Sequence, residues 1–172
     1  MDGVLVDLLA GIEKFYGYPV ERSHEGIPKL LTEMNMGRYE FWTNFTSDFW
    51  TNLPKMKDAD MILALVEPYK PVILSAHPGV GIGACIEGKV RWLAENAPEY
   101  VDNDRYIFSG RVKAHLAHPN AILIDDHEQT VNAWNAGGGD GILVPRRGNA
   151  YEGCDVITTL QGQLIALLGD EY

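Results

Sequence analysis

The stretch NAILIDDHEQTVNAWNAGGGDGILVP, residues 120–145, decides the fold class. Its opening, NAILIDD (120–126), has the length and apolar content of a buried strand and ends in two carboxylates. HEQTVNAWNA (127–136) carries a helical pattern that Gly137, Gly138 and Gly139 stop. DGILVP (140–145) then repeats the strand character. Upstream, PVILSA (71–76) reads as another buried strand, and GACIEGKVRWLAEN (83–96) as another helix. Strands alternating with helices in this way predict an α/β fold: a Rossmann-like, doubly wound parallel sheet with helices on both faces. Ligands of such sheets sit beyond the carboxyl ends of the strands. That rule places Ser75, Asp125 and Asp126 at the candidate site, and Asp2 joins them if it follows a central strand.

Residues 8–66 have a different texture. They form helical segments crowded with rings, among them Phe15, Tyr16, Phe41, Trp42, Phe45, Phe49 and Trp50. Such rings can fill the core of a small helical bundle, or line a lid that closes over the sheet and stacks on a flat substrate. Phe45 and Trp50 are the candidate substrate-stacking rings. The expected organisation is therefore a core of residues 1–7 and 67–172 with a helical cap over 8–66.

The 172 residues suffice for one core with an elaborated loop, and the formal net charge of −10 opposes docking on nucleic-acid polymers or anionic membranes. A small anionic substrate remains compatible, because a few lysines can invert the field inside a pocket. Cys85 and Cys154 stand far apart without paired spacing, so neither a disulfide framework nor a zinc site is expected, and a reducing, cytoplasmic setting is. Oligomeric state is left open, a homodimer included.

Carboxylates at the ends of adjacent parallel strands repel one another unless a cation neutralises them. Mg²⁺ suits this position, since it accepts one or two Asp oxygens and keeps several waters. Asp125 is the leading ligand candidate. Asp126 is either a further ligand or the cap of the helix that follows. Ser75 ends a buried strand, where its hydroxyl and the succeeding N–H groups of Ala76 and His77 could hold a phosphate oxygen. Lys113 could neutralise charge on a transferring phosphoryl group, with Arg111 a competitor for that role.

With these residues in place the chain resembles the haloacid dehalogenase superfamily of hydrolases, and more closely its 5'-nucleotidase branch, the deoxyribonucleotidase-like phosphatases. MDGVLVD (1–7) is similar to the family's first motif, Asp-x-Asp-Gly-Val-Leu, from its second letter onward. VILSA (72–76) resembles the second motif with Ser75 at the hydroxyl position, Lys113 matches the third, and AILIDD (121–126) the fourth. FWTNLPKM (49–56), KVRWLAEN (89–96) and NAWNAGGGDGILV (132–144) also look like this branch, so the likeness spans nearly the whole chain.

The resemblance implies a helical cap inserted after the first motif, and Mg²⁺-dependent hydrolysis of a small phosphomonoester such as a nucleoside monophosphate through an aspartyl-phosphate. It makes Asp2 the general acid and base, with its carbonyl a metal ligand. It has Ser75 and Lys113 hold the phosphoryl oxygens and Asp125 bind the metal. It also places the attacking Asp directly before Met1, at the end of a central apolar strand. Without that strand, two neighbours would keep unpaired backbone groups around a gap in the core. The expectation is that upstream codons encode an apolar run ending in Asp. The alternative is a nucleophile-less, noncatalytic nucleotide-binding or regulatory protein of the same fold.

Three rival signals are weaker. GVGIGA (79–84) has the G-x-G-x-x-A spacing of a dinucleotide-binding turn, but Pro78 separates it from the strand and the glycines more simply permit a tight turn into the next helix. His115 and His118 have metal-like spacing without a third ligand and read as surface residues. His77 follows the Ser75 strand closely enough to touch a substrate.

Overall fold

The computed structural model describes residues 1–23 and 25–169. The chain is mixed α/β, with parallel strands as expected, but the strands form two separate pairs. Strand β1 (Ile73–Ala76) pairs in parallel with β2 (Tyr106–Ser109). Strand β3 (Ile122–Asp125) pairs in parallel with β4 (Asp140–Leu143). Among the described residues no ladder joins β1 to β3. Among the described residues the strands form two two-stranded parallel sheets in place of the single doubly wound sheet expected.

The amino terminus explains the separation in part. VLV, which would extend a strand if preceded by one, is folded into a turn: the N–H groups of Val4, Leu5 and Val6 all donate to the Met1 carbonyl at 2.8–3.2 Å. Only isolated bridges remain, parallel between Asp2 and Val6 and antiparallel between Val6 and Lys55.

Five helices cover the residues read as a cap: α1 (Leu8–Tyr16), α2 (Gly26–Glu33), α3 (Arg38–Thr43), α4 (Ser47–Thr51) and α5 (Ala59–Val66). Helix α1 starts where the Asp7 side chain accepts from Ala10 N–H at 2.9 Å and stops at Gly17 in the left-handed region. The long helix α6 (Ile82–Asn96) follows β1, and α4 lies across it. Gly88 makes that crossing close: a Cβ there would stand 2.4 Å from both the Ser47 carbonyl and the Trp50 Cβ. The helical residues share one hydrophobic core with the strands, in which Phe41, Phe45, Trp50 and Leu53 pack with Ile73, Trp92, Leu93 and Ile142.

The remaining helices are α7 (Pro98–Asp102), α8 (Glu128–Ala136) and α9 (Val156–Leu168). Helices α6 and α8 fall within a residue of their sequence boundaries. Strand β2 and helix α9 carried no expectation: β2 has only four residues, none fully buried, and so lacks the continuous apolar run that marks a central strand. No helix among the described residues is long and apolar enough to cross a membrane.

Candidate functional site

The carboxyl ends of β1 and β3 hold a compact set of charges, and its centre is a residue the motifs did not single out. Lys89, on α6, is fully buried (0% exposed). Its ammonium donates to Asp2 Oδ2 at 2.5 Å, Ser75 Oγ at 2.9 Å and the Ala76 carbonyl at 2.9 Å. A lysine is almost never buried this completely unless paired. Here all three of its donors are used. The Trp50 ring backs the ammonium, with its centroid 5.1 Å from Nζ. In the sequence Lys89 sits at a helix position whose neighbours Cys85, Trp92 and Leu93 are core residues. A charged residue on a buried helical stripe was the available signal.

Burial works against the Asp2 charge, but the Lys89 ammonium, with the Met1 amino terminus and Lys113, outweighs it and holds the carboxyl below the usual carboxylate range. Its Oδ1 is buried without a hydrogen-bond partner. Ser75 is buried as well, and its hydroxyl faces Lys89. Sequence reasoning placed Asp2 and Ser75 at one rim, and in the structure both contact Lys89. It missed the cation that joins them.

A second ion pair lies at the end of β3. Lys113 begins a short 3-10 turn (Lys113–Leu116) and donates to Asp125 Oδ2 at 2.6 Å, with both side chains largely buried. The other Asp125 oxygen accepts from His127 N–H at 2.9 Å. Asp125, expected to lead as a metal ligand, therefore has one oxygen engaged by an ammonium and the other by the backbone at the start of α8. The reason is positional: Asp125 is the last ladder residue of β3, so its side chain points back over the rim toward Lys113. The capping role considered for Asp126 is not seen: the N-cap residue of α8 is His127, and no side chain caps the helix.

Asp126 is left in the more unusual state. Burial, followed by the neighbouring Asp125 charge, pushes its carboxyl up from 3.8 to about 7. No side chain among the described residues donates to it. It packs against Gly3, where an added Cβ would stand 2.0 Å from Asp126 Oδ2. Gly3 adopts φ +71°, so glycine is favoured there both by backbone and by space. Arg146 fixes this turn from the far side. Its guanidinium binds the Gly3 carbonyl at 2.7 Å and the Val4 carbonyl at 3.2 Å, and forms a two-point pair with Asp58 at 2.8 and 2.9 Å.

Of the other expected site residues, Ala76 gives its carbonyl to Lys89, and His77 accepts from Gly79 N–H at 3.2 Å through Nδ1. Phe45 and Trp50 are each 2% exposed and cannot offer a face to a ligand. Phe45 stacks on Phe49 at 3.9 Å within the core, and Trp50 faces Lys89. The core-filling reading holds for both rings: Trp50 lies on α4, which packs on α6, and Phe45 lies in the link between α3 and α4, buried against Phe41, Trp42 and Phe49. Gly79 and Gly81 adopt φ +89° and +59° at the turn into α6, the role the simpler reading assigned to them.

The Mg²⁺ that the family resemblance implies can be tested against these groups. Among the described residues no three Asp, Glu, His or Cys side chains converge on one point. The oxygens available are the Asp126 carboxyl and the unpartnered Asp2 Oδ1. That is a hard-oxygen set of the size Mg²⁺ accepts when most of its shell is water. No protein-family model matches the chain, and comparison with curated proteins returned no match.

Proposed function

We propose that the chain is a Mg²⁺-dependent phosphomonoester hydrolase of haloacid dehalogenase type, with a Rossmann-like core, acting on a small substrate such as a nucleoside 5'-monophosphate. The observation that carries this reading is the buried Lys89 ammonium held between Asp2 and Ser75 at the carboxyl end of β1. A phosphoryl group arriving there meets the Ser75 hydroxyl and Lys89, with Lys113 across the rim. Its negative charge competes with Asp2 for Lys89. As Lys89 turns to the phosphoryl oxygens, Asp2 loses the cation that keeps it ionised, so its proton affinity rises when a leaving oxygen needs a proton.

On this reading Asp2 takes up a proton from solvent as Lys89 turns away; a carboxylate oxygen then attacks phosphorus as the ester P–O bond breaks, and Asp2 passes that proton to the departing oxygen. Asp2 then takes a proton from water, which attacks the aspartyl-phosphate and frees phosphate. The attacking carboxylate is expected on the residue directly ahead of Met1. Asp126, with the Asp2 backbone carbonyl, would hold Mg²⁺, which would supply positive charge to the transferring phosphoryl group. Asp125 keeps Lys113 in place.

A second reading is a noncatalytic phosphate or nucleotide binder. It is favoured by the engagement of the described carboxylates: Asp2 by Lys89, Asp125 by Lys113, and Asp126 lodged against Gly3. Phosphate release from nucleoside monophosphates with Mg²⁺, measured on this chain and on one carrying an Asp joined ahead of Met1, separates the two. Turnover gained with the added Asp supports the hydrolase. Calorimetric binding of nucleotide by both chains without turnover supports the binder.

A further inference from the structure

Arg146 and Asn149 lie in the loop that follows β4, and together they hold the two backbone segments that carry the proposed metal ligands. The Arg146 guanidinium uses all five of its donors. Its Nε donates to the Gly3 carbonyl at 2.7 Å, and one terminal nitrogen donates to the Val4 carbonyl at 3.2 Å and Asp58 Oδ1 at 2.9 Å. The other donates to Asp58 Oδ2 at 2.8 Å and the Pro145 carbonyl at 2.9 Å. Asn149 is buried, and its amide is fully engaged as well. Its Nδ2 donates to the carbonyls of Asp126 at 3.0 Å and Val144 at 2.9 Å, while its Oδ1 accepts from the N–H groups of Arg146 at 3.3 Å and Tyr151 at 3.1 Å. A continuous set of hydrogen bonds therefore runs from the backbone of Asp126 through Asn149 and Arg146 to Gly3. A buried network with every group satisfied is rigid, and loss of one member leaves the others unmet.

We propose that Arg146 and Asn149 are positioning residues that set the separation between the Asp126 carboxyl and the Asp2 carbonyl, the oxygens offered to Mg²⁺; the inference rests on the hydrolase reading above. Neither side chain bonds to these two oxygens, and both act through the backbone. Gly3 N–H donates to the Val6 carbonyl at 2.8 Å. A trans peptide points its C=O opposite to its N–H, so the Asp2 carbonyl is turned away from Val6. With Arg146 on the Gly3 carbonyl, the peptide planes on both sides of Gly3 are held. An added Cβ at Gly3 would stand 2.0 Å from Asp126 Oδ2, so any shift of this turn is felt at that carboxyl. Asn149 holds the opposite side of the gap, at the Asp126 carbonyl. Asp58, directly ahead of α5, anchors the guanidinium from its other end. A metal that keeps most of its water depends on few protein oxygens, and groups that orient such ligands without touching the metal are worth about 10- to 100-fold in affinity.

The test measures Mn²⁺ binding by electron paramagnetic resonance, with Mg²⁺ as competitor, on the parent chain and on Arg146→Lys, Asn149→Ala and Arg105→Lys. Arg105 pairs with Glu67 at 3.1 Å just ahead of β2, at the opposite end of the ladder from Ser75, so its variant controls for destabilisation alone. Arg146→Lys and Asn149→Ala are expected to weaken Mn²⁺ binding by about 10-fold or more, and Arg105→Lys by less than about 2-fold, since distant sites act independently. Metal-free protein gives the second measurement. The hydrogen bonds of Asn149 do not reach Gly3, yet Asn149→Ala should quicken exchange of the Gly3 amide by about 10-fold or more relative to Arg105→Lys, because a loosened Arg146 frees the turn. Asn149→Ser replaces Asn149→Ala if the latter fails to fold. Equal Mn²⁺ affinity in the parent and both loop variants, or a Gly3 amide unchanged in both, overturns the proposal. A parent chain that takes up no Mn²⁺ overturns the Mg²⁺ reading instead, and the Gly3 amide then decides the positioning role by itself.

Discussion

Replacing Lys89 by methionine tests whether the buried ammonium organises the site. Methionine keeps most of the side-chain volume, so little cavity term enters. What is lost is one charge and three hydrogen bonds, to Asp2, Ser75 and Ala76. Asp2 Oδ1 already has no partner, so the substitution would leave the whole carboxylate unmatched beside the core. Removing one member of a buried pair costs about 3–5 kcal/mol, a large part of a total stability of about 5–15 kcal/mol. Urea unfolding at pH 7.5, followed by the fluorescence of the buried tryptophans, measures the loss. The pH dependence carries the sign. In the parent chain Asp2 is held below 3.8, so its contribution is present above about pH 4 and fades as pH falls through the lowered value. In Lys89→Met the stranded carboxyl rises instead and is neutralised in mild acid. The deficit should therefore be smaller at pH 4.5 than at pH 7.5. It should also shrink by about 1 kcal/mol or more in an Asp2→Asn background, where no charge is left behind. A loss below about 1 kcal/mol, equal at both pH values and unaffected by Asp2→Asn, would refute the reasoning.

Three more outcomes follow from the same geometry. Asp126→Asn should stabilise the protein at pH 8: a carboxyl raised from 3.8 to about 7 makes the parent chain lose stability as pH rises across that interval, by up to about 4 kcal/mol, and unfolding at pH 4, 6 and 8 should show the slope vanish in the variant. Gly3→Ala should cost about 2 kcal/mol or more, because a Cβ there meets the Asp126 carboxyl and φ is +71°; adding Asp126→Ala should recover the steric part but not the backbone part. Arg146→Lys should cost about 2 kcal/mol in chemical unfolding, since a lysine cannot make the two-point contact with Asp58 while also binding the Gly3 carbonyl.

Much of the local architecture is legible in the residues because its determinants are local. The runs at 73–76, 122–125 and 140–143 are apolar and short enough to be strands, and the three glycines after Ala136 end α8 where a helix needs a stop. Strand β2 was not legible, because an exposed edge strand need not be uniformly apolar. The partners of each charge were also hidden. Asp125 and Asp126 are adjacent and chemically identical in the sequence, yet one is paired and the other raised to about 7. Their alternation across the end of a strand sends one toward Lys113 and the other toward Gly3, and that alternation has consequences only when the neighbouring elements are in place.

The sequence by itself determined the alternation of strands and helices, the aromatic helical segment, and the position of Ser75 and the Asp125–Asp126 pair at strand ends. These depend on periodicity and on the rule that parallel strands end on one side. The tertiary structure alone decided that Lys89, 87 positions from Asp2, joins Asp2 to Ser75, that Phe45 and Trp50 are core, and that the strands form two separate parallel pairs. Each of these depends on which distant surfaces meet, since burial and ion pairing are set by packing between elements and not by the order of residues within them.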